Sequence, residues 1–303
     1  SVGETGARVF HVGVVYNAVP PSDLEGPVPA SPSARAFIEE LRQRGWVDGR
    51  NVRIHWRSAD QRYERRPTIF DELVRLPVDV LVASGNIATR EAMARSRKVP
   101  IVTVGLISPM EQEIIASYAR PGGNVTGVAM DTGGEVHGKR LALLKQIAPG
   151  VSRIASLQPW YVTQQAAEEM WPPASAAAEA LGMTLFGERF GSPDDLERAI
   201  GEAVRHGANG LYAANFQPFS RKENQVRIQR AAERHRLPVI YAYQNSADNG
   251  GLIAYSADLV AAYGRAGYYV DRILRGAKPG DIPVEQPSKY ELVINLKAAK
   301  TLG

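Results

Sequence analysis

The chain has 303 residues, 44% hydrophobic and 22% charged, the balance of a globular protein long enough for about two domains. It contains no cysteine, which excludes disulfides, thiolate metal sites and cysteine nucleophiles. The formal charge of +4 is a mild excess spread along the chain, and the densest run, Arg62 to Arg66, includes Glu64, so it reads as a solvated helix face with no nucleic-acid partner.

No apolar run approaches the roughly 20 residues needed to span a bilayer. Ser1 to Arg8 lacks an apolar signal core and reads as a start from which a secretion signal has been removed.

Strand-length apolar runs alternate with helix-length amphipathic ones. Val9–Tyr16 predicts a strand. A Pro-rich stretch, Pro20 to Pro32, leads to a helix over Ser33–Arg44 with Phe37, Ile38 and Leu41 on one face and Gly45 as its stop. Asn51–Trp56 predicts a strand, Thr68–Arg75 a helix and Val78–Ser84 a buried strand. Ile87–Arg97 predicts a helix, Pro100–Gly105 a strand, Met110–Ala119 a helix and Asn124–Met130 a short strand.

The pattern then restarts with a helix at Glu135–Ile147 and a strand at Arg153–Gln158. A helix over Thr163–Leu181 is expected to be interrupted at Pro172 and Pro173. Met183–Arg189, Gly210–Asn215 and Pro238–Tyr243 predict strands, separated by helices at Asp194–His206 and Ser220–Arg236. Such alternation argues for two tandem doubly wound α/β lobes with parallel sheets.

The tail adds a strand, Leu252–Ser256, then a helix capped by Ser256. That helix runs to Arg275 with an apolar stripe of Leu259, Val260, Tyr263, Val270, Ile273 and Leu274. Gly276 ends it, Pro279–Pro287 is a linker and Glu291–Leu296 a last strand. The tail is expected to return to the first lobe and cross to the second, making a hinge of several strands. The expected division is 1–128 plus 250–280, and 129–249 plus 281–303.

Ligands of open parallel sheets bind beyond the carboxyl ends of the strands. The residues at those positions are Tyr16 and Asn17, the turn Ser84, Gly85, Asn86 and Thr89, and Leu106, Ile107 and Ser108. In the second lobe they are Trp160 and Tyr161, Asn215, Phe216 and Gln217, and Tyr241 and Tyr243. Gly85 would let backbone approach a ligand, and the helix behind it would aim free N–H groups at a carboxylate, with the Ser84 and Thr89 hydroxyls adding hydrogen bonds. Ser84 and Asn86 read equally well as helix caps. The aromatics would sandwich a flat ligand, or pack as core.

No phosphate-binding loop, dinucleotide fingerprint or nucleophile elbow appears, so no cofactor is expected and an enzyme is disfavoured. The five histidines are scattered, without zinc-ligand spacing, and read as surface or capping residues.

Several segments also resemble the substrate-binding proteins of ABC transporters related to the tryptophan/tyrosine-binding type. These are Leu41–Asn51 (LRQRGWVDGRN), Val78–Gly85, Ala119–Gly127 (ARPGGNVTG), Gly138–Lys145, Arg234–Tyr241, Gly250–Tyr255 and, most specifically, Ile273–Leu296. The resemblance implies the type I periplasmic binding protein fold, two Rossmann-like lobes that close on a small-molecule ligand. It further implies export to the periplasm and docking on a membrane permease; a monomer is expected. The Ser84-Gly85 turn matches the family's ligand-contacting turn. The chain departs from the family at Gly105-Leu106-Ile107 and Asn215-Phe216, where members often carry an Asp-Pro pair, and at Gln244-Asn245-Ser246, where Arg-Glu-Phe is frequent. Two positions able to neutralise a ligand ammonium are thus uncharged, and an unpaired buried ammonium costs several kcal/mol. The expected ligand is aromatic, neutral or a carboxylate, rather than a free amino acid. The competing readings are the ligand-sensing core of a transcription regulator, an amino-acid-binding member of the same transporter family, and a small-molecule enzyme on an α/β scaffold.

Overall fold

The computed structural model describes residues 8–107, 110–131 and 134–302. In chain order its strands and helices are β1 (Phe10–Tyr16), α1 (Pro32–Gln43), β2 (Val52–Ser58), α2 (Arg66–Arg75), β3 (Val80–Ser84), α3 (Gly85–Arg95), β4 (Ile101–Ile107) and β5 (Val125–Asp131). There follow α4 (Gly134–Ile147), β6 (Arg153–Pro159), α5 (Gln164–Ala180), β7 (Thr184–Phe190), α6 (Leu196–Arg205), β8 (Gly210–Ala213), α7 (Lys222–Arg234) and β9 (Val239–Tyr241). The chain closes with α8 (Asn245–Asp248), β10 (Ile253–Ala257), α9 (Leu259–Leu274), β11 (Tyr290–Ile294) and α10 (Leu296–Leu302). The expected mixed α/β fold is present, as two compact units each built on its own sheet. No helix among the described residues is long and apolar enough to cross a membrane.

Unit 1 comprises 1–107, 111–130 and 259–286 and holds a five-stranded sheet in the order β2-β1-β3-β4-β5. β1 pairs in parallel with β2 and β3, and β3 with β4. The central strands are apolar on both faces because helices cover both: Val12, Val14, Val80, Leu81 and Val82 are fully buried. The core gathers Val15, Phe70, Leu73, Leu81, Ile101 and Leu106. Gly127 in β5 has φ +139, and a Cβ there would lie 2.1 Å from the Thr103 carbonyl oxygen, so only glycine lets β5 sit against β4.

Unit 2 comprises 108–110, 131–258 and 287–303, with a six-stranded sheet in the order β11-β10-β9-β8-β6-β7. β6 to β10 pair in parallel, but β11 runs antiparallel to β10. The expected parallel sheet therefore carries one antiparallel edge strand.

The chain crosses between units later in the tail than expected. β10 hydrogen-bonds β9 and β11, which assigns 250–258 to unit 2. Residues up to 286 stay with unit 1 because Val284 N–H donates to Tyr118 O (2.7 Å), Glu285 N–H to Gly127 O (3.0 Å) and Ala129 N–H to Glu285 O (2.8 Å). Ser256 lies inside β10 and caps nothing; α9 starts at Leu259, and Val260 is 40% exposed, outside the apolar stripe.

The helix expected over Met110–Ala119 shrinks to one 3-10 turn, Met110–Glu113. Ile114 and Ile115, adjacent in sequence, are both buried in the unit 1 core from the turn that follows it. The chain then turns, Ala116 N–H donating to Pro121 O (2.8 Å). Conversely, α5 runs through Pro172 and Pro173 without interruption, with Pro173 beside Gly134 and Ala177 beside Gly138 of α4. The last strand ends at Ile294, and Leu296 opens α10, where Asn295 Oδ1 accepts from the Lys297 and Ala298 N–H groups.

Candidate functional site

At the carboxyl edge of the unit 1 sheet, the strand-end residues form a hydrogen-bonded frame. Ser84 closes β3 and its hydroxyl donates to the Val15 carbonyl (3.1 Å). Having spent its one proton, Ser84 accepts from the Tyr263 hydroxyl. Tyr263 comes from α9 and stacks on Tyr16, centroids 4.6 Å apart and rings 16° from parallel. Burial pushes the Tyr263 hydroxyl well above its ordinary pKa, so it stays a protonated donor. Asn17 donates to the Ser84 carbonyl (2.7 Å) and accepts from Arg66 (3.4 Å). Arg66, only 4% exposed, is held in turn by Glu91, Nε to Oε2 at 2.9 Å.

The turn after β3 departs from the expected roles of its side chains. Gly85 has φ +79, a conformation that suits glycine, and opens α3. Thr89 is fully buried. Its hydroxyl donates back to the Gly85 carbonyl (2.7 Å) and pairs with Thr103 (2.8 Å), so it does not face a ligand. Asn86 clasps β4: it donates to the Ile107 carbonyl (3.0 Å) and accepts the Ile107 N–H (2.8 Å). Neither Ser84 nor Asn86 caps the helix through its side chain. What the turn offers a ligand is the backbone of the first turn of α3, whose leading N–H groups have no intrahelical partner. Leu106 is core, Ile107 is half-buried at the rim, and Ser108 lies outside the described residues.

Unit 2 presents aromatics at the corresponding edge. Trp160 and Tyr161 follow β6, half-buried, their rings edge-to-face at 5.5 Å. Trp160 meets Phe190 (5.8 Å), Phe190 meets Phe219 (5.7 Å), Phe219 meets Phe216 (6.2 Å), and Phe216 meets Trp171 of α5 (6.2 Å). The strand-end aromatics Trp160, Tyr161 and Phe216 are thus joined into one chain of rings by residues that strand-end reasoning missed. Tyr243 is buried just past β9. Tyr241 faces away, into the core under α7, with its hydroxyl 3.5 Å from Gln229; its place is inside β9, not beyond it. The side chain of Gln217 lies outside the described residues.

Behind the rings lies a buried ion pair. Asp131 accepts from both terminal nitrogens of Arg140, at 2.8 and 3.0 Å. Arg140 is fully buried and also donates to the Tyr255 carbonyl (2.8 Å) and the Tyr212 hydroxyl (3.1 Å). Burial works to raise the Asp131 carboxyl, but Arg140 more than offsets it, with help from Asn215, and holds it below the usual carboxylate range. His137, one turn before Arg140, is 2.7 Å from the Tyr212 hydroxyl through Nδ1. It is buried rather than on the surface as expected, and burial, reinforced by Arg140 against the pull of Asp131, pushes it down to about 4. It is therefore neutral at neutral pH. The spacing of His137 and Arg140 on one helix face is the sequence signal that could have drawn attention to this cluster.

A family model described as "ABC transporter substrate binding protein" matches residues 30–303. The chain belongs to the ABC transporter substrate-binding protein family. Proteins of this family bind small molecules and work with ABC permeases outside the cytoplasm. A tyrosine-binding protein of Clostridioides difficile (strain R20291) is 22% identical over 271 residues, covering 88% of this chain and 75% of the relative. Among solved structures, a conserved domain protein from Vibrio cholerae superposes with a TM-score of 0.85 at 22% identity, covering 98% of this chain and 95% of that one. An ABC domain from Streptococcus pneumonia in complex with L-Trp gives 0.84 at 20%, covering 97% and 95%. These structural likenesses are likenesses of fold, and they match the type I periplasmic binding protein architecture of the substrate-binding family.

Proposed function

We propose that the chain is the solute-binding component of a bacterial ABC importer, working as a monomer in the periplasm, and that its solute is aromatic, carries a carboxylate and lacks a free ammonium. The reading rests on one observation: the buried acid of the unit 2 site, Asp131, is already neutralised by Arg140 at two contacts. It has no charge left over for a ligand ammonium, and positions 106 and 215 supply none. The half-buried Trp160 and Tyr161 and the ring chain behind them suit a flat apolar body. The open N–H groups of α3 suit a carboxylate. The second reading, an aromatic amino acid, is favoured by the names of the tyrosine-binding relative and the L-Trp complex.

Titration calorimetry against L-tryptophan, L-tyrosine, benzoate and indole-3-carboxylate separates the two. Binding of an aromatic acid with none of the amino acids is the expected result. Tight binding of tryptophan or tyrosine with none of the amine-free acids replaces the first reading by the second. Trp160→Ala is expected to weaken binding of the true ligand about tenfold while leaving the fold intact; unchanged affinity removes Trp160 from the site.

A further inference from the structure

The outer edge of the unit 1 sheet carries a groove that the solute site does not use. β2 is the edge strand. In its parallel register with β1, Phe10 N–H donates to Asn51 O (3.0 Å) and Ala59 N–H to Tyr16 O (2.9 Å). The backbone of Arg53, His55 and Arg57 therefore faces β1, and that of Val52, Ile54 and Trp56 faces outward. Beside this edge lies a groove of about 830 Å³, with Leu24, Pro27, Ile38 and Trp46 among its walls.

The chain covers half of the edge itself. Gly49 N–H donates to Val52 O (2.9 Å), and Asp48 Oδ1 accepts the Ile54 N–H (3.0 Å). The Asp48–Val52 bridge has parallel sense. Farther along, Trp56 O accepts from the Arg57 guanidinium (2.9 Å). Among the described residues, two outward groups stay open between these covers, the Ile54 carbonyl and the Trp56 N–H. An antiparallel neighbour exchanges both bonds with one residue, Ile54 or Trp56, and each already has one group taken. A parallel neighbour uses the carbonyl of one residue and the N–H of the residue two further on, which is the pair left free. A two-fold pairing of this edge with a second copy would be antiparallel and meets the occupied groups.

The two faces of β2 specify the side chains of such a neighbour. On one face stand Arg53, exposed and without a partner among the described residues, half-buried His55, and Arg57, whose nearest carboxylate, Glu72, is 3.7 Å away. On the other are Ile54 and Trp56, continuing into the apolar wall. We propose that this groove binds an extended peptide segment of a partner protein, added as a parallel strand to β2, with acidic and apolar residues alternating. An acidic residue lies opposite His55, gives its N–H to Ile54 O and takes the Trp56 N–H, and its apolar neighbours rest on Trp46 and Ile38. The exposed Glu25 also lines the groove, next in sequence to Leu24 of the apolar wall.

The test uses the full chain and short capped peptides alternating valine with glutamate, valine with lysine, and valine with glutamate N-methylated at every glutamate. Binding is read by calorimetry and by hydrogen exchange of the Trp56 amide. The glutamate peptide is expected to bind and to slow Trp56 exchange about tenfold, with the lysine and N-methylated copies weaker by about tenfold. Arg53→Glu, at an exposed position, is expected to shift preference toward the lysine peptide. Absence of binding, binding indifferent to N-methylation, or an unchanged Trp56 amide overturns the proposal. So does sedimentation showing a dimer that protects Trp56 without any peptide. Solute affinity does not enter either readout, so failure here leaves the solute reading untouched.

Discussion

Arg140 illustrates how a charge can be structural in a protein whose task is to bind. Its guanidinium is fully buried, yet four of its five N–H groups have acceptors: two Asp131 oxygens, the Tyr255 carbonyl and the Tyr212 hydroxyl. Replacing it with a neutral side chain leaves Asp131 buried beside no cation. Arg140→Met is expected to cost about 3–5 kcal/mol in denaturant unfolding, whereas the double change Asp131→Leu with Arg140→Met recovers most of that loss. Additive costs in the double variant would show that the two residues do not stabilise each other. Tyr263 is the milder case. Tyr263→Phe keeps the ring stacked on Tyr16 and removes one hydroxyl that donates to Ser84, so about 1 kcal/mol of stability is the expected loss, measured the same way.

Elements were legible where periodicity and burial agree. The strands of both sheets stand near their expected positions because continuous Val, Ile and Leu runs have no other buried use in a doubly wound fold. The stretch after β4 was not legible, because Ile114 and Ile115 read as part of a helix but enter the core of unit 1 from the turn that follows a short 3-10 segment. Nor was the ring chain complete in the sequence: Phe190, Phe219 and Trp171 come from β7, a 3-10 turn and α5, and only folding brings them to Trp160 and Phe216. The expectation that Ser84 and Thr89 greet a ligand overlooked nearer partners on Tyr263 and Thr103. The segment Ala119–Gly127 that carried the family resemblance has a physical reason at its last residue. A side chain at Gly127 would sit within the Thr103 backbone. Gly127→Ala is therefore expected to separate β4 from β5 and yield little soluble folded protein, whereas Gly150→Ala, where nothing lies within 4 Å, leaves expression and circular dichroism unchanged.

Across the whole chain the two units carry different titration chemistry. In unit 2, His137 is held at about 4 by burial, against an ordinary 6.5. Between those values the unfolded chain takes up a proton that the folded unit refuses, so stability rises with pH through the window and falls on acidification. The loss at pH 5 relative to pH 7 is about 2 kcal/mol. Asp131 is lowered as well, and its contribution is lost in the same direction but only below the ordinary carboxylate range. Unit 1 holds opposing groups. His55 is lowered by burial and by His11, which costs stability in acid, while burial raises Glu91 despite Arg66, so protonating Glu91 relieves the folded unit as pH falls. Acid is therefore expected to loosen unit 2 before unit 1. Hydrogen exchange at pH 5 and pH 7, corrected for the intrinsic pH dependence, should show protection falling in α4 and β8 while β1 and β3 keep theirs. His137→Gln removes the titrating group and should flatten the unit 2 response. Equal loss in both units, or an unaltered response in the variant, would mean that the buried histidine does not govern the acid stability of this chain.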